Sequence, residues 1–281
     1  MSRHMLNYPT LSRRRGVAKQ APRGQKADAM ALDAPIHSDI RAEAARLTLA
    51  ALAERLPLRL MGGLAVWLRS PSVRQGPYAR DYADLDFAGD SAGRKAIKAF
   101  LESRGYVPEK LFNALHGAQR LNYAAPDGRW TIDLIFDELT MSHRLNLRNR
   151  LTFDEPTLPL ADLLLTKLQI WEINGKDLGD ALCLLADHLI GELGTDTIEV
   201  GRITTVLAND WGFCHTVERN LGRVAEVWLE QPVPSARCDV RAQIEVIRTA
   251  IARAPKSFAW KSRARLGERV RWYQIPEQVQ H

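Results

Sequence analysis

The sequence predicts an α+β fold: a small mixed sheet with flanking helices, followed by a helical C-terminal half. Three observations carry this. Short apolar runs bounded by Gly, Pro and Asp recur between residues 58 and 136, and the last of them alternates with period two. Amphipathic stretches at helical spacing lie between these runs. After Pro156 the strand signals cease, and residues 159–192, 196–209, 213–230 and 240–253 read as helix.

The chain divides accordingly. Residues 1–36 are a basic tail without periodicity, expected to be disordered. Residues 37–155 form the α/β core, 156–254 the helical half, and 255–281 a basic C-terminal arm with interleaved aromatics. A chain of 281 residues is long enough to bury a sizeable core.

The first helix is expected from Ser38, as N-cap, to Arg55, with Ile40, Ala44, Leu47, Leu49, Ala51 and Leu52 apolar. Leu58–Met61 is the first strand. Gly62 and Gly63 make a tight turn into a short helix, and Ser70–Ala79, with two Pro and a Gly, is loop. Tyr82–Phe87 is the second strand, and Ser91–Arg104 is a helix that stops at Gly105. Arg120–Tyr123 and Arg129–Phe136 are the arms of a hairpin around Ala125-Pro126-Asp127-Gly128. In its second arm Trp130, Ile132, Leu134 and Phe136 point one way. Thr131, Asp133, Ile135 and Asp137 point the other. A further extended piece is expected near Arg150–Phe153.

Charge is concentrated at the ends. Residues 1–27 carry seven Arg or Lys and no acid, and residues 255–273 carry six against Glu268, leaving residues 28–254 net negative. Such ends suit nucleic acid or an acidic partner, or are simply solvated. The N-terminal run could equally be a transit segment, or sequence that precedes a start at Met30. Phe258, Trp260, Trp272 and Tyr273 could stack on bases, or pack the arm onto the body. The three cysteines, Cys183, Cys214 and Cys238, are odd in number and far apart, which fits a reducing cytoplasm. No apolar run is long enough to span a membrane.

The chemistry lies in the carboxylates. Asp84 and Asp86 are two apart, on one face of a strand. Asp133 lies on the polar face of a later strand. If the two strands are neighbours, three carboxylates converge. Hard oxygen ligands of this kind suit two Mg²⁺ ions with a nucleoside triphosphate, for in-line displacement at phosphorus. Glycines beside them let a phosphate approach the backbone. Lys167, in an apolar stretch, either snorkels or faces an anion such as a triphosphate. Lys176 and Asp177 could be a local ion pair or helix cap. His116, His143, His188 and His215 show no metal-ligand spacing, and there is no phosphate-binding Gly-Lys-Ser/Thr loop or dinucleotide fingerprint.

Strand, Gly-Gly, helix, then Asp84-Leu85-Asp86, then Asp133 resembles the polymerase-β-type nucleotidyltransferase superfamily over roughly residues 38–190. Arg80-Asp81-Tyr82-Ala83-Asp84-Leu85-Asp86 is similar to the form in small bacterial members. These include toxins of type IV toxin–antitoxin (abortive infection) systems and aminoglycoside nucleotidyltransferases. The resemblance implies Mg²⁺ at Asp84, Asp86 and Asp133, the last also helping to deprotonate an acceptor. It implies a nucleotide held by Gly62, Gly63, Arg80, Lys167, Lys176 and Asp177. Lys167 and Lys176-Asp177-Leu178-Gly179-Asp180 match elements of the toxin branch. The acceptor would be an RNA (tRNA) or a protein, with a cognate antitoxin as partner, or a small hydroxylated molecule such as an aminoglycoside. A binding protein that lost turnover is the non-enzymatic alternative. Three departures stand out: the long interval between Gly63 and Asp84, Gly63 in place of a common Ser, and Asn174 where the toxins often have Arg.

Overall fold

Asp39, rather than Ser38, caps the first helix: its carboxylate accepts from the Arg41 N–H, and α1 runs Ile40–Ala53. The computed structural model describes residues 36–152, 156–192, 194 and 196–275. The basic run at 1–27 and almost all of the tail lie outside the described residues. The described residues form one compact unit.

Five strands make the main sheet, in the order β1 (Leu58–Met61), β2 (Asp84–Gly89), β5 (Thr131–Phe136), β4 (Arg120–Ala124), β3 (Val107–Pro108). Only β2 and β5 run parallel; the other pairs are antiparallel. The fold class is therefore the α+β class that the sequence predicts, with a mixed sheet. Leu85, Phe87, Ile132 and Leu134 are completely or almost completely buried, while Asp84, Asp86, Thr131 and Asp133 alternate with them on the other face. Each such Leu or Ile contributes about 1.5–3 kcal/mol by leaving water, and that locks the register. Between the strands lie α2 (Gly62–Arg69), α3 (Arg94–Ser103) and α4 (Lys110–His116). The hairpin turn closes where Gly128, at φ +68°, takes the left-handed conformation.

The sequence expectations shift in detail. The second strand starts at Asp84 rather than Tyr82, because Arg80 and Tyr82 turn toward the Gly pair. β3 and α4 occupy a stretch for which no element was expected. No strand covers Arg150–Thr152; the extended pieces lie earlier, as β6 (Glu138–Thr140) and β7 (Arg144–Asn146). Phe153 lies outside the described residues.

The helical half comprises α5 (Leu160–Leu168), α6 (Gly175–Asp187), α7 (Val200–Leu207), α8 (Trp211–Glu230), α9 (Val240–Arg253) and α10 (Phe258–Leu266). The expected helix 159–192 is thus two, broken at Ile170–Asn174. Two short parallel strands, β8 (Leu189–Gly191) and β9 (Thr197–Glu199), follow α6. α6 is buried from Leu178 onward and packs against α5, α8, α9 and α2. Helical half and sheet share this contact, and Thr157 bridges to Leu60 of β1. In the C-terminal arm, Trp272 and Tyr273 pack on Trp171, with ring centroids 4.7 and 5.0 Å away. Phe258, by contrast, is 86 % exposed. Among the described residues no helix is long and apolar enough to cross a membrane.

Candidate active site

Parallel pairing of β2 with β5 sets Asp86 directly beside Asp133. Partners in a parallel ladder point to the same face, and Asp84 shares that face two residues earlier. The structure thus brings the three carboxylates to one edge of one surface. Asp84 is exposed; Asp86 and Asp133 are half-buried.

Asp86 bears the electrostatic consequence. Burial, then the charges of Asp84 and Asp133, push its pKa from 3.8 up to about 7; Lys167 and Arg120 act the other way. The three acids therefore sense one another. Asp133 has a cation of its own: Arg120 donates Nε to one carboxylate oxygen at 2.6 Å and Nη2 to the other at 2.5 Å. Among the described residues no three His, Cys, Asp or Glu side chains form a ready-made metal cage. The donor set still fits a hard divalent cation, since mutually repelling carboxylates gain from a shared counter-charge. Asp133 would take part by releasing an oxygen from Arg120.

The Gly pair abuts this group. Met61 pairs with Asp86 across β1 and β2, so the turn that follows passes over the carboxylate. Gly62 has φ +68°, and a Cβ there would lie 2.0 Å from Asp86 Oδ2. At Gly63 a Cβ would meet Arg80 Nη2 at 2.7 Å and the Tyr82 ring at 2.9 Å. The Tyr82 hydroxyl is buried with no hydrogen-bond partner among the described residues. Its pKa is raised, chiefly by burial.

Lys167 neither snorkels nor reaches out. It is 8 % exposed, and its Nζ lies 2.8 Å from Asp177 and 3.0 Å from Asp180. These two carboxylates outweigh burial and raise its pKa. Arg80 grips Asp180 with two bonds, at 2.6 and 2.8 Å. Lys167, Asp177, Asp180 and Arg80 therefore form one buried network from α5 and α6 to the segment before β2. Lys176 is exposed and stands outside it. Asn174 caps α6 by accepting from the Asp177 N–H, and its own side-chain amide donates to Asp177. Arg120, Tyr82 and Asp180 join the site through contacts between elements far apart in the chain. Arg120 was within reach: on an antiparallel hairpin with Asn122 opposite Asp133, residue 120 shares that face.

Comparison with known protein families finds no match, and comparison with curated proteins finds none either. The site's own geometry is what bears on its chemistry. Three acids on one sheet face, a Gly turn packed against them and a Lys–Arg pair braced by Asp180 make up the site. One other constellation needs notice. Ser70, His188 and Asp196 line up at 3.3 and 2.8 Å, but Ser70 is fully buried and can meet no substrate. This chain of contacts serves to pin the loop after α2.

Proposed function

We propose that the chain is a Mg²⁺-dependent nucleotidyltransferase that moves a nucleoside monophosphate from an NTP to an acceptor hydroxyl and releases pyrophosphate. The observation that carries this reading is the Asp86–Asp133 pairing beneath Gly62, where the missing side chain leaves space that Asp86 occupies. The resemblance to polymerase-β-type nucleotidyltransferases supports it.

Asp84, Asp86 and Asp133 would hold the metal. Bound Mg²⁺ supplies charge neutralisation for the triphosphate and the leaving pyrophosphate. The backbone at Gly62 and Gly63, opening α2, offers N–H groups to the phosphates. Gly63 brings no hydroxyl, and the Tyr82 ring packs beside it. Lys167 and Arg80 act as positioning residues, fixing α5 and α6 against the turn. In the reaction the acceptor oxygen bonds to the α-phosphorus, the bond from that phosphorus to the pyrophosphate oxygen breaks, and the acceptor proton passes to Asp133 on the oxygen that Arg120 releases. A tRNA or a protein, and a small hydroxylated molecule, are the acceptor classes that the resemblance implies. A toxin-like role would add a cognate antitoxin.

Labelled NTPs incubated with the protein, Mg²⁺ and either total RNA or an aminoglycoside panel provide the test. Label should reach one acceptor class and be lost in Asp84→Ala. No transfer to any acceptor, or equal transfer by Asp84→Ala, would overturn the reading.

A further inference from the structure

The long interval between Gly63 and Asp84 builds a cleft. Residues 70–79 form two 3₁₀ turns, Pro71–Arg74 and Gly76–Tyr78, laid onto the helical half. The Ser72 hydroxyl and N–H both bond Asp187, Ser70 meets His188, and the Tyr78 hydroxyl donates to the Gln231 carbonyl. The Tyr78 ring lies over Gly179, where a Cβ would come within 2.9 Å of it. A loop held at four points presents its side chains in fixed places. Beneath it opens a cavity of about 490 Å³, lined by Arg41, Trp67, Arg74, Arg80 and Asp81 among others.

Its cations are set in advance. The Arg74 guanidinium lies 4.6 Å from the centre of the Trp67 ring, and donates to the Trp67 and Leu68 carbonyls at 2.9 and 3.0 Å. Those acceptors are neutral, and among the described residues no carboxylate pairs with Arg74. Arg41 lies 5.9 Å from the Trp67 ring centre and 5.5 Å from that of Tyr82, and donates to the Arg80 carbonyl. Its acidic neighbours, Asp39 and Asp81, are both exposed, where water screens the attraction. Arg80 is the inner wall and touches the space above Gly63. The cleft therefore presents an unopposed guanidinium at the surface and, on its inner side, Arg80, which also lies against Gly63.

We propose that this cleft holds a phosphodiester of a polynucleotide acceptor, bound by Arg41 and Arg74. The proposal rests on the nucleotidyltransferase reading and names its acceptor class. Guanidiniums already flank Trp67, so the cleft offers N–H edges rather than an open stacking surface. Such edges suit phosphate, in paired hydrogen bonds. The terminal ribose hydroxyl of a polynucleotide is covalently close to its own phosphate. A phosphate anchored in the cleft would hold the neighbouring hydroxyl on its Arg80 side.

Fluorescence anisotropy with the full chain, a labelled single-stranded RNA and, separately, a fluorescent ATP analogue tests this. Arg74→Ala and Arg41→Ala should each weaken RNA binding about tenfold. Each should flatten the log affinity against log salt slope by about 0.7, the value for one phosphate contact on a single strand. Arg74→Lys, which keeps the charge, should recover part of the loss. Affinity for the ATP analogue should not change. Absence of RNA binding by the wild type, RNA binding unaltered in both Ala variants, or a loss confined to the ATP analogue would overturn the proposal. So would displacement of the RNA by an acidic peptide at equal effectiveness. Asp84→Ala separates the two readings, since it should bind RNA normally and transfer nothing. If the wild type transfers to an acceptor while the Arg variants bind RNA unchanged, only the cleft assignment fails. If RNA binding depends on Arg41 and Arg74 but no transfer occurs, only the enzyme reading fails.

Discussion

A methyl group on Gly62 would lie 2.0 Å from Asp86 Oδ2, closer than any pair of unbonded atoms tolerates. The turn and the carboxylate are fitted to one another. Gly62→Ala must both adopt an αL backbone and displace Asp86. We expect a loss of stability of about 1–3 kcal/mol and transfer activity reduced at least tenfold. Gly63→Ala carries no αL penalty but must displace Arg80 Nη2 and the Tyr82 ring, so it should be milder only by the backbone contribution. Thermal melts and single-turnover assays on both variants compare them directly.

Asp86 makes stability depend on pH in an unusual direction. Its pKa rises on folding from 3.8 to about 7, so the folded state binds the extra proton between those values. Stability is therefore highest below pH 4 as far as this group is concerned, and falls as pH rises through 7. In EDTA, Asp86→Asn should be more stable than wild type at pH 8 by about 2–4 kcal/mol, with the gain gone near pH 4. Transfer should be abolished. Urea melts across that pH range would show a flat difference if the carboxylate were unperturbed.

His143 works with the opposite sign. It is buried, stacked on Phe213 at 5.1 Å, and its Nε2 lies 2.8 Å from the Thr216 hydroxyl. Burial lowers its pKa from 6.5 to about 4. The unfolded chain takes up the proton first, so stability is complete above pH 6.5 and is lost as pH falls toward 4. The loss is about 3 kcal/mol. His143→Gln should remove most of this slope, as read from melts between pH 4 and 7.

Lys167 and Lys176 should part company. Lys167→Met leaves Asp177 and Asp180 without their shared cation, and removing one partner of a buried pair costs about 3–5 kcal/mol. Lys176→Ala should change stability by no more than about 0.5 kcal/mol. If Lys176→Ala lowered NTP affinity tenfold, that would support the nucleotide role that the resemblance implies for it.

Arg120→Gln frees both oxygens of Asp133. The variant should bind Mg²⁺ or Mn²⁺ several-fold more tightly than wild type, because no internal cation competes for the carboxylate. Calorimetric titration measures this, and weaker metal binding would show that Arg120 supports the site rather than occupying it.

Much of the site was legible because period two is strict. Once Ile132 and Leu134 are buried, Asp133 must face the other way, and the same holds for Asp84 and Asp86 around Leu85. The adjacency of β2 and β5 was only a condition in the sequence, since a parallel pairing across 47 residues leaves no local mark. Lys167 misled for a related reason. Its partner Asp180 was visible in the sequence, but the break at Ile170–Asn174 folds α6 back onto α5, and that places the acid against the lysine. The strand β3 and helix α4 were missed because each is too short for its period to register. The aromatics of the C-terminal arm divided: Trp272 and Tyr273 pack on Trp171, while Phe258 stays outside.

The loop at 70–79 is fastened to the helical half by Ser70, Ser72 and Tyr78, and none of these touches the three acids. On the function proposed above, acceptor choice and bond-making chemistry would fall to separate parts of one compact unit. Rewriting the positions between the anchors, Arg74 among them, would exchange one clientele for another while the transfer machinery stays as it is. If the proposed function holds, the segment would serve as an adaptor and would be the first target for redirecting the protein to a new acceptor.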